Sequence, residues 1–252
     1  MGKAIRLDKY MADMGVGTRS EVKVLIKKGR VSVDDEVVKQ AEYKVDIESQ
    51  CVAVDGERIG YAQYEYFMLN KPAGVVSAVT DNRDTTVVEL IKDAKRKDIF
   101  PVGRLDKDTE GLLLITNDGE LSHELLSPNK HVEKTYYAKV KGEVTEEDVR
   151  VFSEGLHLEK ETLREEKAEK EIETKPAKLT VLKAGEVSEV ELTICEGKFH
   201  QVKRMFQAVG KEVLYLKRIS MGGLVLDESL ALGEYRPLTE KELLELKKHT
   251  SR

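Results

Sequence analysis

The sequence predicts an α+β protein of two domains: a small domain of two helices and a hairpin, and a larger domain that mixes strands and helices. Helical spacing of apolar residues followed by a short hairpin fills the first sixty residues, whereas short apolar runs without regular strand–helix alternation fill the rest. With 252 residues, 40% of them hydrophobic, the chain is long enough for two cores. We place the small domain at residues 1–60, a linker at 61–65 and the large domain at 66–252.

The small domain begins with two helices. Apolar residues at helical spacing predict the first helix over residues 7–14. The second helix begins at Thr18 or Ser20, both good capping residues, and ends at Gly29. Two short valine-rich strands follow, and Asp34-Asp35 between them predicts the turn of a hairpin.

Charge is distributed unevenly along the chain. The formal net charge is −5, yet the first thirty residues carry eight lysines and arginines against three acidic residues. Arg19, Lys23 and Lys27 recur every four residues and therefore share one face of the second helix. Such a row is either a solvated helix face or an anion-binding surface. The opposing acidic charge lies largely in residues 143–173, where the run of Glu and Lys from Glu159 predicts a solvated helix or an extended hairpin.

The small domain also resembles a known domain family. Three stretches carry the similarity: Ile5-Arg6-Leu7-Asp8-Lys9-Tyr10, Gly17-Thr18-Arg19-Ser20-Glu21-Val22 and Lys27-Lys28-Gly29-Arg30-Val31-Ser32-Val33. Together they resemble the S-four-like domain, which is named after a small-subunit ribosomal protein and lays a basic face against structured RNA. The resemblance implies that five cations contact phosphates: Arg6, Arg19, Lys23, Lys27 and Arg30.

The large domain intersperses apolar β-like runs with helical patterns. The runs are Tyr66-Phe67-Met68-Leu69, Leu112-Leu113-Leu114-Ile115-Thr116, Thr135-Tyr136-Tyr137-Ala138-Lys139-Val140, Leu179-Thr180-Val181-Leu182 and Val190-Glu191-Leu192-Thr193-Ile194. Helical patterns occupy residues 86–92, 120–126, 145–152 and 201–209. This order is typical of a mixed α+β domain.

A polar loop between two glycines precedes the most apolar of these strands. Gly103 and Gly111 flank the loop, and Asp106 and Asp108 lie on it, where a rigid strand can hold a carboxylate in a defined direction. An isolated loop aspartate usually makes a turn or cap hydrogen bond. Two neighbouring aspartates also suggest a cation site, although the segment lacks the ligand spacing of a calcium loop.

This loop belongs to a pattern that extends along the chain. Gly103-Arg104-Leu105-Asp106 with Asp108-Thr109-Glu110-Gly111-Leu112-Leu113 resembles the signature of pseudouridine synthases, specifically the RsuA-like group that acts on ribosomal RNA. Three further stretches match in the same order: Leu69-Asn70-Lys71-Pro72-Ala73-Gly74-Val75-Val76-Ser77, Glu133-Lys134-Thr135-Tyr136 and Gly197-Lys198-Phe199-His200-Gln201-Val202-Lys203-Arg204-Met205-Phe206. The resemblance implies a largely antiparallel catalytic sheet in residues 66–252. It also implies an isomerase that flips a uridine out of 16S rRNA of the small subunit and converts it to pseudouridine.

The resemblance assigns catalytic roles to three residues. Asp106 is the catalytic carboxylate, because the reaction needs an anion beside the glycosidic carbon. Tyr136 stacks on the target base, for which an aromatic face is suited. Lys203 pairs with Asp106 and keeps it ionised, although the adjacent Arg204 is the alternative partner.

Other residues are implied to contact the RNA. Arg104 fills the gap left by the extracted nucleotide or holds its phosphate. Val202 packs against the uracil ring or belongs to the core, and Arg204 contacts RNA. His200 is assigned a structural or RNA-positioning role, and Tyr137, on the opposite side of the strand from Tyr136, is expected in the core.

Neither a metal nor an organic cofactor is implied, because the isomerisation changes no redox state and takes no group from outside. The histidines include no HExxH motif, so a protein-built metal site is not expected. Cys51 and Cys195 lie far apart and outside any CxxC, which predicts two reduced thiols. The first residues lack the features of a secretory signal, and the apolar runs are too short for a membrane span.

We therefore expect a cytoplasmic monomer whose partner is ribosomal RNA, free or within an assembling small-subunit particle, and no membrane. One alternative is a non-catalytic RNA-binding or ribosome-assembly protein on the same scaffold, which would have no need of Asp106 beside Tyr136 and Lys203. Another alternative is a metal-dependent nuclease that uses Asp106 and Asp108, for which the sequence lacks a third carboxylate motif.

Overall fold

The structure is a computed structural model that describes residues 4–158 and 172–250, so most of the charged run predicted from Glu159 lies outside the described residues. The helices and strands, in chain order, are β1 (Ala4–Arg6), α1 (Leu7–Asp13), α2 (Arg19–Lys27), β2 (Val31–Val33), β3 (Glu36–Val37), β4 (Lys44–Asp46), β5 (Val52–Val54), β6 (Glu57–Ile59), β7 (Tyr66–Lys71), β8 (Phe100–Pro101), β9 (Glu110–Thr116), α3 (Gly119–Leu126), β10 (Lys134–Lys141), α4 (Glu146–Glu154), β11 (His157–Leu158), β12 (Ile172–Glu173), β13 (Lys178–Lys183), β14 (Val187–Ile194), α5 (Gln201–Ala208), β15 (Glu212–Met221), β16 (Leu224–Val225), β17 (Tyr235–Pro237) and α6 (Glu240–Thr250).

The chain divides into two compact units. The first unit runs to Glu65 and includes Lys92–Ile99, and the second comprises Tyr66–Ile91 and the chain from Phe100 onward. The sequence predicts that Lys92–Ile99 belongs to the large domain. Arg96 accounts for the difference, because its Nη1 lies 3.2 Å from Asp13 Oδ2 and its backbone amide donates to Glu65 at 2.7 Å.

The first unit contains two helices and two small antiparallel sheets, one of β1 and β4 and the other in the order β3-β2-β5-β6. Helix α2 begins after Thr18, whose hydroxyl accepts a hydrogen bond from the Glu21 amide while the Glu21 carboxylate accepts one from the Thr18 amide. Thr18, and not Ser20, is therefore the helix cap. Apolar residues of both helices and of the strands form one core.

The predicted hairpin is formed by β2 and β3. Asp34 and Asp35 at its turn have positive φ angles of 51° and 67°, as a tight hairpin turn requires at both central residues. Aspartate tolerates this conformation better than most residues. The Asp34 carboxylate also accepts a hydrogen bond of 2.8 Å from the Cys51 amide, which secures the turn to the chain that enters β5.

The second unit is built on a mixed sheet in the order β13-β14-β10-β15-β9-β7-β17, with β8 paired to β9 and β16 paired to β15. Among these strand pairs only β15 and β9 run parallel. The α+β class with a largely antiparallel second sheet is thus confirmed. All five predicted β-like runs lie in strands, whereas β15, the strand between β10 and β9, was not predicted.

Three of the four predicted helices of the second unit are present, as α3, α4 and α5. The helix predicted at 86–92 is wrong: Thr86 and Glu89 form reciprocal cap-like hydrogen bonds, but the chain continues as turns. Val87 and Ile91 are buried at helical spacing, which explains the misleading pattern. From Lys92 onward the chain belongs to the segment that lies with the first unit.

Candidate active site

The loop between β8 and β9 carries Asp106, and one side chain and one backbone amide from the segment after β7 hold its backbone. Ser77 Oγ donates to the Leu105 carbonyl at 2.8 Å and accepts from the Leu105 amide at 3.1 Å. The Gly74 amide donates to the Lys107 carbonyl at 2.7 Å. The residues on both sides of Asp106 are therefore fixed by backbone contacts.

Lys71 is the main buried support of this loop. It is the last residue of β7, its side chain is fully buried, and its Nζ donates to the carbonyls of Thr109 (2.8 Å), Pro72 (3.0 Å) and Lys107 (3.3 Å). Burial lowers the pKa of Lys71 to about 8, against the opposing effect of nearby acidic side chains. One ammonium group thus ties both ends of the turn that follows Asp106 to the end of β7.

The strand after the loop must approach its neighbour closely. Gly111 in β9 has φ +98°, and a Cβ at this position would lie 2.3 Å from the carbonyl oxygen of Arg218 in β15. Any larger residue would push the two strands apart where they pair in parallel. The glycine of the sequence signature therefore sets how tightly the loop is held against β15.

Helix α5 places a cation beside the loop. Lys203 Nζ lies 3.1 Å from Asp106 Oδ2 and 2.6 Å from Asp108 Oδ1. The Asp106 side chain is 26% exposed and that of Asp108 is 73% exposed, so Asp106 is the more enclosed carboxylate. Burial lowers the pKa of Lys203, but hydrogen bonds to Asp108 and Asp106 outweigh this and raise it. The hydrogen bond from Lys203 lowers the pKa of the Asp108 carboxyl.

The neighbours of Lys203 on α5 have different surroundings. Val202 is 5% exposed and lines the same pocket as Asp106. Arg204 is buried, and its Nη1 donates to the Phe199 carbonyl at 3.4 Å, at the start of the helix. His200 precedes α5 with φ 46°, and its Nε2 lies 3.6 Å from Asp106 Oδ1. The first turn of the helix therefore contributes Gln201, Val202 and Lys203 to the pocket, whereas Arg204 is turned inward.

Tyr136 and Tyr137 point to opposite sides of β10. Tyr136 is 8% exposed and lines the pocket beside Asp106. Tyr137 is only partly buried; its hydroxyl donates to Glu189 at 2.6 Å, and its ring contacts Tyr215 edge-on. The expected division between two faces is thus present, but Tyr137 lies in a surface network and not in the core.

Arg104 lies at the open side of the pocket. Its side chain is exposed, and within residues 4–158 and 172–250 it forms neither a hydrogen bond nor an ion pair. Asp106, Tyr136, Val202 and Lys203 meet in this pocket with Arg104 at its rim. The residues that the resemblance assigned to the reaction are therefore brought together from a loop, a strand and a helix.

The five cations predicted to contact phosphates lie in the first unit and have unequal surroundings. Arg6 and Arg19 lie 3.0 Å and 3.6 Å from the buried Asp8, and Arg30 pairs with Asp55. Lys23 and Lys27 are exposed on α2, and neither has an ion-pair partner in the described part of the chain. Two of the five are thus free to meet an anion, whereas three are already held by carboxylates.

Sequence reasoning gave no role to four residues that surround the pocket. Lys71 and Ser77 hold the loop, and Lys134 and Arg218 are buried next to Tyr136. The sequence contains a signal for two of them, because Lys71 is the last residue of the apolar strand β7 and Lys134 is the first residue of β10. Arg218 could not be found, since its strand was not predicted.

The described ranges contain no group of three or more His, Cys, Asp and Glu side chains that could hold a metal ion. Asp106 and Asp108 are bridged by the Lys203 ammonium group. Cys51 and Cys195 are free thiols, as predicted. Among the described residues, no helix is both long and apolar enough to cross a membrane.

Comparisons with known proteins agree with this geometry. Residues 65–208 match the RNA pseudouridylate synthase family, and residues 5–51 match the S4 domain. An uncharacterized RNA pseudouridine synthase of Bacillus subtilis is 48% identical over 240 residues, which covers 95% of this chain and 97% of that protein. Ribosomal small subunit pseudouridine synthase A of Escherichia coli is 41% identical over 239 residues, 95% of this chain and 98% of that protein.

A solved structure gives the same result. The crystal structure of a pseudouridylate synthase superimposes with a TM-score of 0.64 and 40% identity, and it covers 96% of this chain and 99% of that one. The sequence similarity extends over nearly the whole chain and over nearly the whole of each relative. The chain joins an S4 domain to a pseudouridine synthase domain and therefore belongs to the RNA pseudouridine synthase family, in the RsuA-like group.

Proposed function

We propose that the protein converts a uridine of small-subunit 16S rRNA to pseudouridine, with Asp106 as the catalytic carboxylate. The observation that supports this most strongly is the single pocket in which Asp106, the Lys203 ammonium group and the Tyr136 ring meet. A carboxylate, a cation and an aromatic face are the groups that the reaction needs in one place.

The reaction detaches uracil from its ribose and reattaches it through carbon 5. Positive charge develops at the glycosidic carbon as the base leaves, so an ionised Asp106 either bonds to this carbon or takes the adjacent sugar proton. Lys203 favours the ionised carboxylate because an ammonium group lies 3.1 Å from it. The bond between the glycosidic carbon and N1 breaks and a bond from the same carbon to carbon 5 forms. The carbon 5 proton is released to water and N1 takes up a proton, so the product is an isomer of the substrate.

A uridine stacked in RNA cannot reach a carboxylate at the base of a pocket, so we infer that the target nucleotide is flipped out. Tyr136 and Val202 supply an aromatic and an aliphatic surface for the extruded uracil. Arg104 is exposed at the rim and has no hydrogen-bond or ion-pair partner among the described residues, which suits it to fill the vacated space or to hold a phosphate.

The choice of small-subunit rRNA rests on the relatives. The Escherichia coli relative, 41% identical, is named for a ribosomal small subunit activity, and an S4 domain with exposed lysines on α2 suits structured RNA. We propose that the protein acts as a monomer on 16S rRNA, free or within an assembling small-subunit particle, and therefore in the cytoplasm. We propose that residues 1–60 form the RNA-binding domain and residues 66–252 the catalytic domain, from which the segment Lys92–Ile99 packs with the first unit.

The test is Asp106→Asn, measured by tritium release from 16S rRNA labelled at uracil carbon 5. The amide is nearly isosteric but cannot carry the negative charge, so turnover should be abolished while RNA binding stays within about twofold. Asp35→Asn, at an exposed turn where asparagine is equally tolerated, is the matched control and should keep wild-type turnover.

Three outcomes would count against the proposal. Substantial turnover by a pure Asp106→Asn preparation would remove the catalytic assignment. A wild-type protein that releases tritium from 23S rRNA and not from 16S rRNA or small-subunit particles would remove the substrate assignment. A protein that binds these RNAs and modifies none of them would favour the non-catalytic alternative.

A further inference from the structure

Two buried cations beside the pocket have no part in the proposed chemistry. Lys134, the first residue of β10, is 5% exposed, and Arg218 in β15 is 2% exposed. Charged side chains are rarely buried to this degree without a counter-charge, because leaving water costs the charged form much of its solvation. Something must therefore compensate the cost of burying Lys134 and Arg218 in the second unit.

Both cations lie on the face of the sheet that carries Tyr136. Lys134 and Tyr136 are two residues apart on β10, so their side chains point to the same side. Arg218 pairs directly with Tyr136 across the β10–β15 ladder, which places its side chain on that side as well. The sheet thus brings a lysine, a tyrosine and an arginine together on one surface.

Neither cation is neutralised by the protein. In the two described segments, Lys134 hydrogen-bonds only to the carbonyls of Val132 (2.9 Å) and Leu125 (3.4 Å), and Arg218 only to the Leu112 carbonyl, through Nε at 2.8 Å. Arg218 Nη2 is buried without any acceptor. Burial, reinforced by the charge of Arg218, lowers the pKa of Lys134 to about 8. Among the described residues, neither of these two like charges is paired with a carboxylate, which leaves the site electrostatically incomplete.

A cavity of about 540 Å³ connects these cations to the proposed catalytic residues. Lys134 and Arg218 line it together with Arg104, and Asp106 is the one acidic residue among the side chains that line it. Asp106 and Tyr136 line both this cavity and the pocket that contains Val202 and Lys203. A ligand with its base beside Tyr136 can therefore extend an anionic group toward Lys134 and Arg218.

We propose that this cavity is a phosphate-binding subsite in which Lys134 and Arg218 hold a backbone phosphate of the flipped nucleotide. The inference deepens the proposed function and rests on it for the identity of the ligand as RNA. A guanidinium group with free N–H donors and an ammonium group are the donors that proteins use for phosphate. Binding would supply the missing negative charge and an acceptor for Arg218 Nη2, and it would fix the sugar relative to Asp106.

The test compares ligands that differ only in a phosphate. Binding of uridine, uridine 5′-monophosphate and uridine 3′-monophosphate to the full chain is measured by calorimetry. We expect one of the monophosphates to bind at least about tenfold more tightly than uridine, since charge-assisted hydrogen bonds to a buried site are strong. Lys134→Met and Arg218→Met should each lower the ratio of monophosphate affinity to uridine affinity toward 1. The affinity for uridine itself should stay unchanged.

Matched variants separate binding from a structural role. Lys134→Arg keeps the charge and should keep most of the preference, whereas Lys139→Met removes an exposed lysine from the same strand and should change nothing. If Arg218→Met or Lys134→Met does not fold, two measurements on the wild type still test the subsite. One is the preference for a monophosphate over uridine. The other is the rise in melting temperature that inorganic phosphate causes relative to chloride at equal ionic strength.

The result is independent of turnover. Equal affinities of uridine and both monophosphates for the wild type, or undetectable binding of the monophosphates, would overturn the subsite even if Asp106→Asn behaves as expected. A preference that survives in both Lys134→Met and Arg218→Met would assign the phosphate to other residues and overturn it as well. Loss of the proposed function alone would appear as absent tritium release with the phosphate preference intact.

Discussion

The pocket around Asp106 and the cationic face of α2 use positive charge in opposite ways. In the pocket, Lys203 is held between two carboxylates, and behind the loop that carries Asp106 the fully buried Lys71 donates to three carbonyls. On α2, Lys23 and Lys27 are exposed and meet no partner among the residues described. A reacting carboxylate needs a cation at a fixed distance, whereas attraction of an RNA backbone needs only local charge.

The contrast also exists within the first unit. Arg6 and Arg19 lie beside Asp8, and Arg30 pairs with Asp55, so these arginines have part of their charge neutralised locally. Lys23 and Lys27 of α2 have no such carboxylate partner among the described residues. On the cationic face of α2, Arg19 is therefore oriented by a carboxylate, whereas Lys23 and Lys27 are available to attract RNA phosphates. The two lysines should contribute most of the salt dependence of RNA binding.

The largest effect is expected for Lys71→Met, which tests whether the pocket depends on a buried charge. The methionine keeps the volume but leaves the carbonyls of Pro72, Lys107 and Thr109 without a donor. We expect a loss of about 3 kcal/mol or more in the free energy of unfolding, since each unpaired buried acceptor is costly. Turnover should fall as well, because the loop that carries Asp106 is released. Urea denaturation and tritium release measure the two effects.

Lys183→Met is the control for this experiment, because it removes an exposed lysine from the end of β13. Its free energy of unfolding should change by less than about 0.5 kcal/mol. A Lys71→Met protein as stable and as active as this control would show that the loop holds its shape without the ammonium group.

A smaller effect separates the two faces of β10. Tyr136→Ala removes the aromatic surface of the pocket, so turnover should fall by at least about tenfold, the value expected for one lost base-stacking contact. Tyr137→Ala removes a partly exposed ring and one hydrogen bond to Glu189, so it should cost about 1–2 kcal/mol of stability and little turnover. Single-turnover kinetics and thermal unfolding distinguish them. Equal activity losses in the two variants would contradict the division between the faces.

The smallest effect is expected on the cationic face of α2. Replacing Lys23 and Lys27 together by Ala should weaken binding to 16S rRNA and reduce the slope of log affinity against log salt by about 1.4–1.8, if each meets one phosphate. Adding Arg19→Ala should change the slope little further, because Asp8 lies beside Arg19. The rate at saturating RNA should stay near the wild-type value.

The matched control replaces Lys39 and Lys44, two exposed lysines of the same unit outside α2, and should leave the slope unchanged. If the slope of the Lys23 and Lys27 variant equals that of this control, the α2 lysines are a solvated face. A slope that falls only when Arg19 is also replaced would mean that the ion pair with Asp8 breaks on binding.

Local patterns were sufficient for much of the fold. Apolar residues at helical spacing predicted α1 and α2, and the capping residues and Gly29 predicted where α2 begins and ends, because these signals depend on neighbours in the chain. The apolar strands β7 and β9 were equally clear. The loop with Asp106 was placed correctly before β9, since its polar residues interrupt the apolar pattern.

Where local patterns failed, the cause lies in distant parts of the chain. β15 alternates charged and apolar residues and lies between β10 and β9, so its role follows only from the strands that pair with it. Residues 86–92 have the spacing of a helix but form turns instead, and from Lys92 onward the chain belongs to the first unit.

The sequence by itself determined the two kinds of domain, the position of Asp106 and the family, because short contiguous motifs encode them. Only the tertiary structure decided that Lys203 bridges Asp106 and Asp108, that Arg204 turns inward and that Tyr137 lies in a surface network. It also placed Lys134 and Arg218, far apart in the chain, on one face beside Tyr136. The environment of a charge depends on which groups surround it in space, and adjacency along the chain does not specify that.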